Sequence, residues 1–151
     1  MTIQDHSKIK VKILIPIDGS ASANRAVDHA IVLRAWLKEE PEIFLLNVQW
    51  NLASGNVKLF INHETINEYY REQGLAALAS AREKLDKCNL IYNYHVSIGS
   101  PAEAIAEYAL KQNIDQIIMG RQGQGSLSAL LLGSVVNKLL HMTAVPLLLI
   151  K

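Results

Sequence analysis

This sequence predicts an α/β fold, an open and mostly parallel sheet with helices on both faces, on three observations. Short apolar and β-branched runs alternate strictly with stretches of helical spacing, which is the pattern of βα units. The first and fourth of these runs end in glycine-bearing turns, at Asp18-Gly19 and from Gly120 onward, as buried strands do where the chain leaves a sheet. The composition is globular: 151 residues, 50% hydrophobic and 19% charged, too apolar for a disordered chain. A chain of this length buries roughly 68–70% of its unfolded surface and needs no metal or disulfide to hold a core. One domain spanning residues 1–151 is expected, because no linker, repeat or low-complexity tract interrupts the pattern.

The elements follow in order. Val11 to Ile17 (VKILIPI), closed by Asp18-Gly19-Ser20, reads as a buried strand and a turn. From Ala23 the apolar residues Ala26, Val27, Ala30, Leu33 and Leu37 fall at helical spacing, and Pro41 stops that helix. Ile43 to Val48 supplies a second buried strand. The segment from Gln49 to Asn62, with Trp50, Leu59, Phe60 and Ile61, is expected to cover the sheet edge; the alternative is a flap over a bound base. A long helix follows from about His63 to Lys87, with Ile66, Tyr70, Ala77, Leu78, Ala81 and Leu85 on one side. Asn93 and His95 interrupt the third strand, Leu90 to Ile98, which suits a sheet edge with one face in water. Ser100-Pro101-Ala102-Glu103 matches a capping box with proline at the first helical position. That helix runs to about Gln112, Ile114 to Met119 forms a fourth strand, Ser134 to Met142 a last helix and Val145 to Ile150 a last strand. Strand order 3-2-1-4-5 is one of the few that right-handed crossovers allow, and it makes the ends of the first and fourth strands neighbours, where such sheets bind ligands. An apolar last strand at an edge invites pairing with a second copy about a two-fold axis, giving an isologous homodimer.

Charge and composition exclude several functions. Fifteen Lys and Arg against fourteen Asp and Glu leave a net charge of +1, so no charge excess points to nucleic acid. Cys88 is the one cysteine, which suits a reducing compartment. His6, His29, His63, His95 and His141 form no ligand pattern with each other, a cysteine or a carboxylate trio, so no metal site is expected. His141 suits the dipole at the end of the last helix. Glu103 and Glu107 read as a solvated helix face. Met1 to Lys10 has no signal-peptide core and no stretch approaches the roughly 18 apolar residues of a membrane span, so a soluble cytoplasmic protein without membrane contact is expected. No G-x-S-x-G elbow exists for a serine hydrolase.

Four of the eight glycines lie between Gly120 and Gly133. Glycine lets a backbone approach a ligand closely. Successive amides in such a loop, with the free N–H groups of a helix opened by Gly133-Ser134, form a nest for an anion such as phosphate. Ser126 and Ser134 add hydroxyl donors, and Arg121 is an optional counter-charge. A tight structural connection is the competing reading of the same glycines. A Walker loop is excluded because no Gly-Lys pair exists, and the dinucleotide fingerprint because Asp18-Gly19-Ser20-Ala21-Ser22-Ala23 stands where G-x-G-x-x-G belongs. NAD and FAD are therefore disfavoured.

Gly120-Arg121-Gln122-Gly123, nine residues, then Gly133-Ser134 matches in full the G-x-x-G-x9-G-[ST] motif of nucleotide-binding universal stress proteins, a family this chain resembles over nearly its whole length. Supporting pieces are Pro16-Ile17-Asp18-Gly19-Ser20, Gly99 to Glu103 and Val145 to Ile150. The resemblance implies a Rossmann-like sheet of order 3-2-1-4-5 that binds ATP or a related adenine nucleotide, with or without Mg2+, in a homodimer joined along the last strand. It also implies that Asp18 contacts the adenosine, that Val48 and Met119 line the adenine pocket, and that Gly120, Gly123, Gly133 and Ser134 hold ribose and phosphates. Pro16, Arg121 and Val135 complete the nucleotide-binding set it implies. Two departures stand out: Val136 replaces a hydroxyl residue common in binding members, and Asn47 stands where the family often has histidine.

Without the resemblance, Asp18 reads as a helix cap. The loop holds no carboxylate to act as general base or magnesium ligand, so a regulatory, stress-response binder with at most slow ATP hydrolysis is expected. The alternatives are a ligand-free dimeric interaction module, which Val136 favours, and a weak ATPase or phosphotransferase.

Overall fold

The structure is a computed structural model and describes residues 10–51, 63–124 and 132–151. Strands and helices alternate: β1 (Lys12–Pro16), α1 (Ala21–Leu33), β2 (Glu42–Gln49), α2 (His63–Lys87), β3 (Tyr92–Ile98), α3 (Pro101–Lys111), β4 (Gln116–Gly120), α4 (Ser134–Met142) and β5 (Leu147–Ile150). The five strands form one parallel sheet of order β3-β2-β1-β4-β5. The expected α/β class and strand order are those observed.

Side chains alternate across the pleat, so each strand feeds two cores. Ile13, Ile15, Ile43, Leu45 and Ile118 pack with Ala26, Val27 and Ala30 of α1 and Leu78, Ala81 and Leu85 of α2. Leu14, Phe44, Leu46, Ile117 and Met119 pack on the other face with Ile105 and Ala109 of α3 and Leu139 of α4. In α2 the buried positions Tyr70, Gly74, Leu78, Ala81 and Leu85 recur every three or four residues, the stripe a helix needs to lie on a sheet.

Element ends depart from the sequence reading where local chemistry outweighs pattern. The first helix leaves α-geometry after Leu33 and closes with a 3₁₀ turn, Arg34–Trp36, rather than continuing to Pro41. Beyond Leu33 it has little apolar surface to bury: Trp36 is 71% exposed, and Lys38, Glu39 and Glu40 follow. Ser100 flanks α3 with Pro101 inside the first turn as expected, but its side chain makes no capping hydrogen bond. β3 is an edge strand, with Asn93, Tyr94 and His95 exposed, as its polar interruptions suggest. Glu107 is exposed and hydrogen-bonds Lys111 one turn on, which holds its carboxyl below the usual range. No helix among the described residues is long and apolar enough to cross a membrane.

Leu78 is fully buried between α2 and the sheet. Leu78→Ala is expected to cost about 2–5 kcal/mol, read as a lowered urea midpoint at unchanged m-value.

Candidate functional site

A cleft of about 860 Å³ opens over the carboxyl ends of β1, β2 and β4, where the chain passes to opposite sides of the sheet and such folds bind ligands. Its floor comes from strand ends: Pro16 and Asp18 after β1, Leu46 to Gln49 of β2, and Met119 and Gly120 of β4. Gly123, Gln124, Gly133, Ser134, Val135 and Val136 form one wall. Trp50 and the α2 residues Tyr69, Tyr70 and Gln73 form another. Nine of the ten residues singled out from sequence thus line one cavity: Pro16, Asp18, Val48, Met119, Gly120, Gly123, Gly133, Ser134 and Val135. Arg121, the tenth, is not among the lining residues.

The backbone of Arg121 closes the loop. Its N–H donates to Ile150 O and its carbonyl accepts from Gly133 N–H, both at 2.9 Å. The entry and exit of the glycine loop are therefore tied together at the end of β4. Ser126 and Gly125, and the segment from Leu52 to Asn62 that the sequence reading placed over the sheet edge, lie outside the described residues.

Asp18 joins two distant stretches of chain. Its Oδ1 accepts from Ser20 N–H at 2.9 Å and its Oδ2 from Gln124 N–H at 2.9 Å. Gln124 returns the contact, its Nε2 donating to Asp18 O at 2.8 Å. Asp18 is not the cap of α1, since Ser20 takes that place and its Oγ accepts from Ala23 N–H. The capping reading of Asp18 is thereby replaced by a clasp between the first turn and the glycine loop. One loop amide is held by the protein's own carboxylate. The first-turn amides of α4, Ser134 to Val136, precede its first helical bond, Asn137 N–H to Gly133 O at 3.0 Å; such groups find no acceptor within their helix and attract anions.

Asn47 shows what sequence reasoning missed. It is the buried polar residue of β2, 2% exposed; its Nδ2 donates to Ile17 O at 2.7 Å and its Oδ1 accepts from Gln49 Nε2 at 2.7 Å. A polar residue inside the run IFLLNV was the available signal, because a buried amide must find partners. Trp50 was marked only as part of a segment that alternatively forms a flap over a bound base, and Gln124 and Tyr69 carried no mark at all.

The glycines divide by cause. A Cβ on Gly120 would sit 2.8 Å from the backbone carbon of Ser22, so α1 can approach β4 only where β4 lacks a side chain. A Cβ on Gly123 would sit 2.6 Å from Asp18 Oδ2. Gly133 has φ −62°, and a Cβ there would meet nothing nearer than 3.5 Å, so neither backbone nor packing demands glycine.

Taken together, the open parallel sheet and the cleft at its reversal point define a Rossmann-like α/β protein. The chain belongs to the universal stress protein family, whose model matches residues 11–151. It is similar to universal stress protein MJ0531 of Methanocaldococcus jannaschii, 29% identical over 99% of this chain and 86% of that one. The solved structure of MJ0577 superposes with a TM-score of 0.81 at 26% identity, over 95% of this chain and 96% of that one. Structures with the same fold include universal stress proteins in complex with cAMP, with AMP and with dAMP. The AMP complex, from Arabidopsis thaliana, is 17% identical over 93% of this chain and 91% of that one, with a TM-score of 0.66, a likeness of fold alone.

Gly133→Ala is expected to leave stability within about 0.5 kcal/mol. Gly120→Ala is expected to lower it by about 1–3 kcal/mol through overpacking. Thermal unfolding of the two variants side by side checks this contrast.

Proposed function

We propose that this protein is an adenine-nucleotide-binding regulator whose cleft takes ATP, accompanied by Mg2+, or a related nucleotide, and acts in a stress response. The observation that carries the reading is the meeting of Asp18 with the glycine loop: residues more than a hundred apart in sequence share one cavity with Val48, Met119 and the α4 amides. Nucleotide complexes of proteins with this fold support it. In this arrangement Val48, Met119 and Pro16 border the base, Asp18 the adenosine, and Gly120, Gly123, Gly133, Ser134 and Val135 the ribose and phosphates. The space left open beside Gly133 suits close approach of a phosphate. Val136 supplies a backbone amide but no hydroxyl, which removes one phosphate contact. The described residues hold no cluster of three metal-ligating side chains, so Mg2+ would arrive on the phosphates. Among the described residues the lining offers one carboxylate, Asp18, already engaged by two N–H groups, so slow hydrolysis at most is expected.

Equilibrium titration with ATP and Mg2+ tests the reading: saturable binding is expected, and its absence at millimolar nucleotide removes the proposal. Gly123→Val places a side chain against the Asp18 carboxylate. It is expected to raise Kd about 100-fold, roughly 2.8 kcal/mol, with an unchanged far-UV circular dichroism spectrum.

A second reading rests on the Asp18 carboxylate held by Gln124 N–H, an internal anion in the loop of a nucleotide-free interaction module. Mass analysis of small molecules released from denatured protein separates the two.

We further propose a homodimer through β5, in a cytoplasmic protein. Pro146 O and Ile150 O accept from β4 and its following residue, so Leu148 also faces β4 while Leu147 and Leu149 aim their N–H and C=O at the open edge. Leu149→Pro removes an outward donor and spares the inner ladder. It is expected to convert a dimer to monomer in sedimentation equilibrium; a monomeric parent protein would refute the pairing.

A further inference from the structure

We infer that the cleft has a second, aromatic lobe, and that the ligand class it fits best is a nucleotide whose phosphate is esterified to a second ring-bearing group, as in a dinucleotide, rather than one ending in a free triphosphate. This rests on the adenine-nucleotide reading and extends it to the rest of the cavity.

Residues from both faces of the sheet border the cavity. Leu46, Val48 and Met119 point toward α3 and α4, where they pack with Ile105 and Val136; the base of a mononucleotide borders this side. Successive β2 residues point to opposite faces, and Asn47 points toward α2, where its Oδ1 lies 3.0 Å from the position of a Cβ on Gly74. On that face α2 presents Tyr69, Tyr70 and Gln73 to the same cavity, which Trp50, just past the end of β2, also lines. None of these four residues belongs to the set the glycine-loop motif implies.

Their chemistry is that of a ring site. Trp50 and Tyr69 are each 55% exposed while lining the cavity. Tyr70 is buried, its ring centroid 5.9 Å from that of Tyr69 and inclined by 59°. Exposed aromatic faces beside side-chain amides, here Gln49 and Gln73, offer stacking for a planar heterocycle and hydrogen bonds for its edge. The volume agrees: about 860 Å³ lies toward the upper end of the roughly 300–1,000 Å³ of small-molecule sites.

Charge selects the linkage. Among the described residues lining the cleft no Lys or Arg occurs, and Asp18 is the one formally charged side chain. Arg121, the sole basic residue between Gly120 and Ser134, is not a lining residue. Amide donors alone bind an esterified phosphate, with one negative charge per phosphorus, at less electrostatic cost than a terminal phosphate carrying up to two. A second ring in the aromatic lobe then replaces the contacts that additional phosphates would otherwise make.

The test uses the full chain carrying Trp36→Phe, so that Trp50 is the sole tryptophan, titrated without Mg2+ with AMP and with diadenosine 5′,5′-pyrophosphate. The expected result is that the dinucleotide binds at least about tenfold more tightly than AMP, as one additional stacked base supplies, and quenches Trp50 fluorescence. Tyr69→Ala, at an exposed position that spares the core, is expected to bring the ratio of the two affinities close to one. Equal affinities in the parent protein overturn the inference while leaving the adenine-nucleotide reading in place. A Tyr69→Ala change that weakens both ligands alike also overturns it, because the single base of AMP would then occupy this lobe. Binding of neither ligand also overturns it, while the adenine-nucleotide reading is decided by the titration with ATP and Mg2+.

Discussion

The reversal of chain direction between β1 and β4 is the constraint on which the rest of the molecule depends. From β1 the chain builds outward to β2 and β3; after α3 it returns to the other side of β1 to lay down β4 and β5. With right-handed crossovers, α1 and α2 must cover one face and α3 and α4 the other, as the two cores show. Consecutive turns then diverge at the carboxyl ends of β1 and β4, and the gap between them cannot be filled by either pair of helices. The cleft follows from topology, and its chemistry from which residues happen to end those strands.

The glycine loop meets Asp18 because neighbouring strand ends are forced together. Gln124 and Asp18 exchange two hydrogen bonds across that junction, and Asn47 anchors Ile17 O from below. The rim is thus held by polar contacts between main chain and side chain, while the apolar cores hold the sheet. These are different kinds of stability: the cores set the global unfolding free energy, whereas the exposed rim contacts are each worth roughly 1 kcal/mol and can rearrange without disturbing the sheet.

Much of this was legible in the sequence, for identifiable reasons. Elements whose identity depends on periodicity, such as α2 and α4, keep the bounds their patterns suggest, because an apolar stripe must face the sheet whatever else happens. Strand order needed the family resemblance, since alternation alone permits more than one arrangement. The site residues that the motif and the family resemblance implied line one cavity except Arg121, whose backbone ties the two ends of the glycine loop. The capping box at Ser100 was less legible because its letters describe a capacity for hydrogen bonding and not its use. The aromatic wall was hidden for a different reason: Tyr70 fits the buried stripe of α2, and only the three-dimensional placement of Trp50 shows that this end of the stripe faces a cavity.

The tie at the root of the glycine loop bears on how freely that loop could be redrawn. Arg121 O receives Gly133 N–H just after β4 and just before α4, like a drawstring pulled shut at the neck of a bag. Lengthening a closed loop costs little, about 0.6 kcal/mol for each doubling. The tie at the neck would therefore hold the end of β4 to the start of α4 if the interval between Gly123 and Gly133 were lengthened. Intolerance of insertions there would then measure the contacts the bag makes, that of Gln124 with Asp18 among them.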